Sequence, residues 1–147
     1  MESRREFIRR LRRLNVDIGE QIIKLRLSQN LSKKQLSQMI NKSIEVINNY
    51  ENNKSYVPKY ILNRISVAIN LKCIIDFISK FNIENETVTD VYFEYCKYHE
   101  ILYSEYTYVK PLGKSAFGRE IIKLGYNSNY TIRVNGTQKR IYKKLKD

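Results

Sequence analysis

The sequence predicts a mainly α-helical protein, with an N-terminal domain of five helices and a small α+β domain that ends in a β-hairpin. Apolar residues recur at helical spacing from Phe7 to Leu102. Near the C-terminus, Asn135-Gly136 separates two runs of alternating apolar and polar residues, which is the strongest short-range hairpin signal. With 147 residues, 42% of them apolar, the chain can form a packed core, so a wholly disordered basic tail is excluded.

Opposite charges are segregated along the chain. Residues 1–75 hold 15 basic and 6 acidic side chains (net +9), residues 76–105 hold 2 and 7 (net −5), and residues 106–147 hold 10 and 2 (net +8), which gives the formal net charge of +12. Solubility alone would not require this segregation. Two basic blocks around an acidic segment therefore favour nucleic acid or another polyanion as the partner.

The composition argues against an enzyme. His99 is the only histidine, and Cys73 and Cys96 lie in apolar contexts that are typical of reduced core thiols. We therefore expect no catalytic residues, no metal and no cofactor. No apolar run approaches the ~18 residues of a membrane span, and the basic N-terminus lacks the apolar stretch of a secretory leader. We expect a cytoplasmic protein of a bacterial cell, associated with the nucleoid and without membrane contact.

Residues 1–17 predict a basic amphipathic helix or arm. Phe7, Leu11, Leu14 and Ile18 recur at helical spacing and form one apolar stripe. The arginines lie mostly off this stripe, where they form either a solvated face or a surface that neutralises phosphates. They are Arg4, Arg5, Arg9, Arg10, Arg12 and Arg13.

Residues 18–81 predict the five-helix domain. The first helix carries Ile18, Ile22 and Leu25. Ser32, with Gln35 three residues later, predicts a capping box that starts the second helix. Ser43 predicts the cap of a short third helix that exposes polar residues. Apolar residues then indicate two further helices, around 60–69 and 74–78.

The segment 18–71 carries Leu25-Arg26, Leu31-Ser32-Lys33-Lys34-Gln35-Leu36, Ile47 and Tyr50-Glu51-Asn52-Asn53-Lys54. In these motifs it resembles the phage-repressor/Cro-like (XRE) family of helix-turn-helix proteins. The resemblance implies that the third helix lies in the major groove of double-stranded DNA, and that the protein is a homodimer because one such motif covers a half-site. Carried over residue by residue, it implies base contacts by Ile44, Glu45, Asn48 and Asn49, and phosphate contacts by Lys33, Ser43, Asn52 and Lys54.

Residues 82–90 are polar and without helical periodicity, which predicts a linker. Residues 91–147 then predict a helix, a second helix over 114–124 and the basic hairpin, which is the order of a winged helix. Within residues 88–145, the segment Lys114-Ser115-Ala116-Phe117-Gly118-Arg119-Glu120 and the following Gly125, Ile132-Arg133, Gly136 and Arg140-Ile141-Tyr142 look like the C-terminal winged helix of phage and plasmid primase-helicases. Because the chain lacks the glycine-rich phosphate loop of their motor, the resemblance implies DNA contact only, through Lys114, Ser115, Arg119, Lys123, Arg133, Lys139 and Arg140.

These patterns favour a sequence-specific double-stranded DNA-binding protein with two DNA-binding modules, which acts as a transcriptional repressor of a phage or mobile element. One alternative is a small inhibitor or adaptor, of the kind found among anti-CRISPR proteins. Its host or phage protein partner would bind the acidic segment 76–105 or the winged helix. Another alternative is an accessory protein that binds a replication origin.

Overall fold

The computed structural model describes residues 1–13, 17–106 and 108–146, except for the side chains of residues 8 and 10–13. The helices are α1 (Arg4–Arg13), α2 (Ile18–Ser28), α3 (Lys33–Ile40), α4 (Ile44–Glu51), α5 (Lys59–Lys80), α6 (Val88–Tyr103) and α7 (Lys114–Lys123). The strands β1 (Tyr126–Val134) and β2 (Thr137–Lys144) form an antiparallel hairpin. This architecture confirms the predicted fold class, a mainly helical chain with a C-terminal hairpin. No described helix is both long and apolar enough to cross a membrane.

One continuous helix, α5, replaces the two helices predicted around 60–69 and 74–78. Between these ranges stands Asn70-Leu71-Lys72-Cys73, which contains no glycine or proline to end a helix. The Asn70 side chain, which could compete for backbone hydrogen bonds, is instead buried and donates to the Lys110 carbonyl oxygen at 2.6 Å. The domain beginning at residue 18 therefore has one helix fewer than predicted.

The chain divides into two compact units, Met1–Ile65 (unit 1) and Ser66–Asp147 (unit 2). The division falls inside α5, whereas the sequence predicted domain boundaries around a linker at 82–90. We describe each unit by itself.

Side-chain caps set the helix boundaries of unit 1. Ser32 Oγ accepts from the Gln35 backbone N–H, and Gln35 Oε1 accepts from the Ser32 N–H, which completes the predicted capping box. Ser43 caps α4 by accepting from the Val46 N–H. Asn41 ends α3 with φ of 55°, a left-handed conformation that asparagine tolerates. α3 and α4 are thus fixed by short-range signals.

The core of unit 1 lies among α2, α3, α4 and the first turns of α5. Its fully buried side chains include Ile22, Leu25, Leu36, Ile40, Ile47 and Ile61. α1 joins this core through Phe7, which is only 4% exposed. The expected contributions of Leu11 and Leu14 to the same stripe fall on side chains outside the described ones.

The core of unit 2 is aromatic. The rings of Tyr95 on α6 and Phe117 on α7 stack with centroids 4.4 Å apart, and Phe77 of α5 meets both rings edge-on.

At the tip of the hairpin, Asn135 (φ 50°) and Gly136 (φ 78°) both adopt positive φ, as the predicted tight turn requires.

The segment 82–90, predicted as a linker, pairs with the hairpin. The Asn85 N–H donates to the Tyr142 carbonyl oxygen at 2.8 Å, and the Tyr142 N–H donates to the Glu86 carbonyl oxygen at 3.0 Å. Thr87 forms an antiparallel bridge with Ile141 and also caps α6. These residues therefore belong to the folded body of unit 2.

Candidate nucleic-acid interface

One face of α4 is free of core contacts. Ile47, Tyr50 and Glu51 are buried, whereas Ile44 (43% exposed) and Glu45 are exposed. Asn48 and Asn49 are half-buried on the same outer arc of the helix. α4 therefore brings together all four of the side chains predicted to contact bases.

Lys33 is tied to this face. Its Nζ donates to Asn48 Oδ1 at 2.7 Å and lies 3.7 Å from Glu51 Oε2. Lys33 was predicted to contact phosphate, but here it links the start of α3 to a predicted base-contacting side chain. Its ammonium leaves Asn48 with one oxygen lone pair and both amide N–H groups for another partner.

Under the face lies a buried ion pair between α2 and α4. Arg26 Nε donates to Glu51 Oε1 at 2.6 Å, and the Arg26 and Glu51 side chains are 11% and 3% exposed. Arg26 Nη1 also donates to the Leu31 carbonyl oxygen at 3.0 Å. The guanidinium thus fixes α4 relative to α2 and to the chain entering α3.

The end of α4 is held against the start of α2. Asn53, with φ of 56°, accepts from the Gly19 N–H at 3.2 Å and donates to Asp17 Oδ1 at 3.0 Å. Asp17 caps α2 by accepting from the Glu20 N–H. These hydrogen bonds, first that from Glu20 and then that from Asn53, lower the pKa of Asp17 because they stabilise its carboxylate.

The other residues predicted to contact phosphate border α4. Ser43 Oγ accepts from the Val46 N–H, while Asn52 and Lys54 are exposed just after the helix. The Lys54 backbone N–H donates to the Asn49 carbonyl oxygen at 2.8 Å, so the chain turns sharply at this point. The Lys54 side chain is therefore presented close to the C-terminal end of α4.

The basic helix α1 is attached to the loop that follows α4. The Arg4 guanidinium lies 4.4 Å from the centroid of the Tyr56 ring, and Lys59 lies 4.0 Å from Glu2. Arg5 and Arg9 are exposed. Arg10, Arg12 and Arg13, also predicted for a basic arm, have side chains outside the described ones.

In unit 2, α7 buries Phe117 and Ile121 and exposes a polar face. Ser115 and Arg119 are exposed, as predicted. Lys114 Nζ donates to Thr89 Oγ1 at 2.8 Å, and Lys123 pairs with Glu120 at 3.0 Å. Both lysines thus have local partners at the surface, whereas the apolar Ile122 is 50% exposed on the same side of α7 as Ser115 and Arg119.

The hairpin separates its cations by face. Arg133 is paired with Gln138 and Arg140 with Thr131, so both arginines share one face of the ribbon. Lys139 pairs with Ile132 and lies on the opposite face. The three predicted hairpin contacts therefore cannot all meet one flat partner.

Sequence reasoning missed the supports of the α4 face. Glu51 stands four residues after the buried Ile47, which was a signal that it is buried. Its partner Arg26 is 25 residues away, a separation that helical periodicity cannot connect.

Among the described residues, no group of three or more His, Cys, Asp or Glu is placed to hold a metal ion.

Comparison with known proteins identifies one segment. The model of a helix-turn-helix family matches residues 22–73, which include most of α2, all of α3 and α4, and part of α5. This match confirms the helix-turn-helix predicted there and supports a DNA-binding role in the regulation of transcription. No curated protein and no solved structure matches the chain significantly.

Proposed function

We propose that unit 1 recognises a specific sequence of double-stranded DNA with the exposed face of α4, and that the protein represses transcription within a phage or mobile genetic element. The observation that carries the DNA-binding proposal is this face, on which Ile44, Glu45, Asn48 and Asn49 project from a helix whose other side is buried. Repression and the genetic setting rest on the resemblance to phage repressors.

The side chains on the face suit the base edges of the major groove. An asparagine amide can bond to the N6 and N7 positions of adenine, and a glutamate can accept from the N4 amino group of cytosine. An exposed isoleucine such as Ile44 can contact the methyl group of thymine. Asn52, Lys54, Ser43 and the exposed Arg5 and Arg9 of α1 then supply contacts to the flanking phosphates.

Recovery of bound duplexes from a random pool tests the proposal. We expect a preferred sequence, and Asn48→Ala should weaken binding to it by ~1–3 kcal/mol while changing binding to random DNA little. Asn63→Ala, an exposed asparagine on α5, is the matched control and should leave both affinities unchanged. Equal losses on both DNAs for Asn48→Ala would show that this side chain does not read a base.

Lys33 is proposed as a positioning residue for Asn48, because its ammonium holds the amide oxygen at 2.7 Å. In that case Lys33→Ala should reduce the preference for the same base pair as Asn48→Ala, and the two losses should not add. A phosphate contact would behave differently. It would weaken binding to all sequences alike and leave the preferred sequence unchanged.

Unit 2 is proposed as a winged helix that binds the DNA backbone. The order of α6, α7 and hairpin, together with the Thr87–Ile141 bridge on the other edge of β2, supports this assignment. Arg119 on α7, with Arg133 and Arg140 on one hairpin face, supplies cations for phosphates. The division between residues 65 and 66 supports an extension of the module to include residues 66–80 of α5.

Salt dependence tests the proposal for unit 2. Each phosphate contact steepens the slope of log affinity against log salt by about 0.9. Arg133→Ala with Arg140→Ala should therefore make the slope shallower by about 1.8, and Lys139→Ala on the opposite face should contribute less. An unchanged slope in the double variant would show that this face serves another partner.

A homodimer is proposed because one helix-turn-helix covers one half-site. α5 offers a surface for a second copy, where Val67, Leu71 and Ile75 recur every four residues and are 50%, 38% and 54% exposed. Sedimentation should show a dimer, and Leu71→Asp should convert it to a monomer that binds a single half-site. A dimer that persists in Leu71→Asp would place the interface elsewhere.

A further inference from the structure

The outer edge of β1 is unpaired. β1 and β2 form a two-stranded sheet, and no other described strand pairs with β1. The other edge of the hairpin does have a partner, because Ile141 of β2 forms a bridge with Thr87. Every side chain from residue 129 to residue 133 of β1 is exposed. A free strand edge of this kind is a template on which a further strand can pair.

The hydrogen-bond pattern of the hairpin identifies the free backbone groups on this edge. Directly opposed residues of antiparallel strands alternate between hydrogen-bonded and non-hydrogen-bonded pairs. The pair that closes the two-residue turn, Val134 with Thr137, is hydrogen-bonded, and so is every second pair before it. Thr131 and Arg133 belong to the pairs in between, so their N–H and C=O groups point outward from the hairpin.

β1 lacks the usual protection of an edge strand. It contains no proline and only one charged residue, Arg133. Its bulge, between Asn127 and Tyr130, affects only the start of the strand. Of residues 130–134, three are β-branched and one is aromatic, which are the types enriched in strands. The edge is therefore suited to pairing with another strand.

A second copy of β1 complements this edge. With a two-fold axis at Thr131, each Thr131 lies opposite the other, and Arg133 lies opposite Asn129 of the second copy. The outward groups of Thr131 and Arg133 then occupy hydrogen-bonded pairs. The pairs in between place Tyr130 beside Ile132 of the second copy, and an aromatic residue beside a β-branched one is a stabilising cross-strand pair.

Charge and the bulge favour this register over its neighbours. An axis at Ile132 would bring the two Arg133 side chains to diagonal positions on one face, where like charges repel. An axis at Tyr130 would instead put Arg133 opposite the bulge at Asn127. The Asn129 N–H is held by Asn127 Oδ1 at 2.6 Å, which leaves the Asn129 carbonyl oxygen for Arg133 of the second copy.

The same axis keeps like faces of the two hairpins together. Arg133 and Arg140 share one face of the hairpin, so the arginines of both copies would lie on one side of a four-stranded sheet. Tyr130 and Ile132, which are 56% and 38% exposed, would lie on the other side.

We propose that two copies of the protein pair edge to edge through residues 129–133 of β1, antiparallel and centred on Thr131, and that the arginines of both hairpins form one cationic face. The pairing rests on the geometry of the hairpin, and its surface differs from the α5 face of the proposed homodimer. Only the use of the cationic face for DNA rests on the proposed function of unit 2. The paired segments bury far less than the roughly 1,200 Å² of a stable interface, so we expect weak pairing.

Disulfide trapping in the full chain, without DNA, detects weak pairing and its register. Thr131→Cys should link two copies, because opposed Cα atoms in a hydrogen-bonded pair are about 5.5 Å apart, a distance that a disulfide spans. Arg133→Cys is the matched control on the same edge, since its two positions would lie about 13 Å apart along the strands. Cys96 is only half-buried, so every variant also carries Cys96→Ser.

In a glutathione redox buffer, Thr131→Cys should form about tenfold more covalent dimer than Arg133→Cys. A mixture of Asn129→Cys and Arg133→Cys chains should form a mixed disulfide, although neither variant links to itself. This mixture tests the same register if Thr131→Cys does not fold, as judged by far-UV circular dichroism. Equal linkage of Thr131→Cys and Arg133→Cys, or absence of the mixed disulfide, would overturn the pairing.

The cationic face is tested on the trapped dimer. The oxidised Thr131→Cys dimer should show a slope of log DNA affinity against log salt steeper by about 1.8 than the reduced protein, because two more arginines contact phosphates. An equal slope would overturn the shared face. An unchanged slope in Arg133→Ala with Arg140→Ala would overturn the proposed function of unit 2 instead, and the trapping result does not depend on it.

Discussion

Gly19, the second residue of α2, has no room for a side chain. A Cβ atom there would lie 2.6 Å from Asn53 Oδ1, 2.7 Å from the Glu51 carbonyl oxygen and 2.8 Å from the Tyr50 carbonyl oxygen. The two carbonyl groups belong to the end of α4 and can move only with that helix. Overpacking costs ~1–3 kcal/mol, and three contacts below 3 Å, two of them with backbone, put Gly19 at about 2–3 kcal/mol, which outweighs the gain of up to ~1 kcal/mol from alanine in a helix. Gly19→Ala should therefore lower the free energy of unfolding by about 1–2 kcal/mol.

Gly118 in α7 is a matched control with the opposite expected sign. A Cβ there would meet only the Tyr142 hydroxyl oxygen, at 3.9 Å, which is ordinary contact. Gly118→Ala should raise the free energy of unfolding by about 0.5–1 kcal/mol, since alanine loses less backbone entropy in a helix. Urea unfolding of the full chain, followed by far-UV circular dichroism, measures both variants. If Gly19→Ala is as stable as the wild type, the close approach of α2 and α4 is refuted.

Three further perturbations test the interior of the two units. Glu51→Ala should lower the free energy of unfolding by ~3 kcal/mol, because it leaves the Arg26 guanidinium buried without its partner. The double variant Arg26→Met with Glu51→Leu should recover most of this loss in the same urea assay. His99 has a folded-state pKa of about 4, below the ordinary 6.5, so the unfolded chain binds the proton first. The free energy of unfolding should then fall as pH drops from about 6.5 toward 4, and His99→Phe should lose this slope between pH 7 and 5. Asn70→Ala removes the acceptor of the Tyr95 hydroxyl and the donor to the Lys110 carbonyl oxygen, and should lower the free energy of unfolding by ~2 kcal/mol. An unchanged urea midpoint would show that this buried network adds nothing to stability.

The elements that the sequence predicted correctly carry their signals within a few residues. Ser32 with Gln35, Ser43 before α4, and Asn135-Gly136 each specify a local backbone geometry, and all three occur where the sequence placed them. Such signals work because the cap or turn is formed by atoms three or four residues apart.

The elements that it missed depend on distant contacts. The second half of α5 continues without a break, and its buried Asn70 is satisfied by Lys110, 40 residues away. The segment around Glu86 is polar, which indicates a loop, yet its backbone pairs with Tyr142. Local polarity cannot predict either case, because the partner that satisfies the polar group lies in another part of unit 2.

The same reasoning explains why the α4 face could be predicted residue by residue while its support could not. Ile44 is exposed and Asn48 lies half-buried on the same outer arc because the helical repeat puts Ile47 and Tyr50 inward, and that is periodicity alone. The orientation of Asn48 depends on a polar chain that runs from Arg26 through Glu51 and Lys33. The buried Glu51 carboxylate is shared by Arg26 and Lys33. Lys33 in turn holds the Asn48 amide on the α4 face. A substitution at Glu51 therefore changes two properties together: it removes a buried ion pair from the fold, and it releases the lysine that orients Asn48.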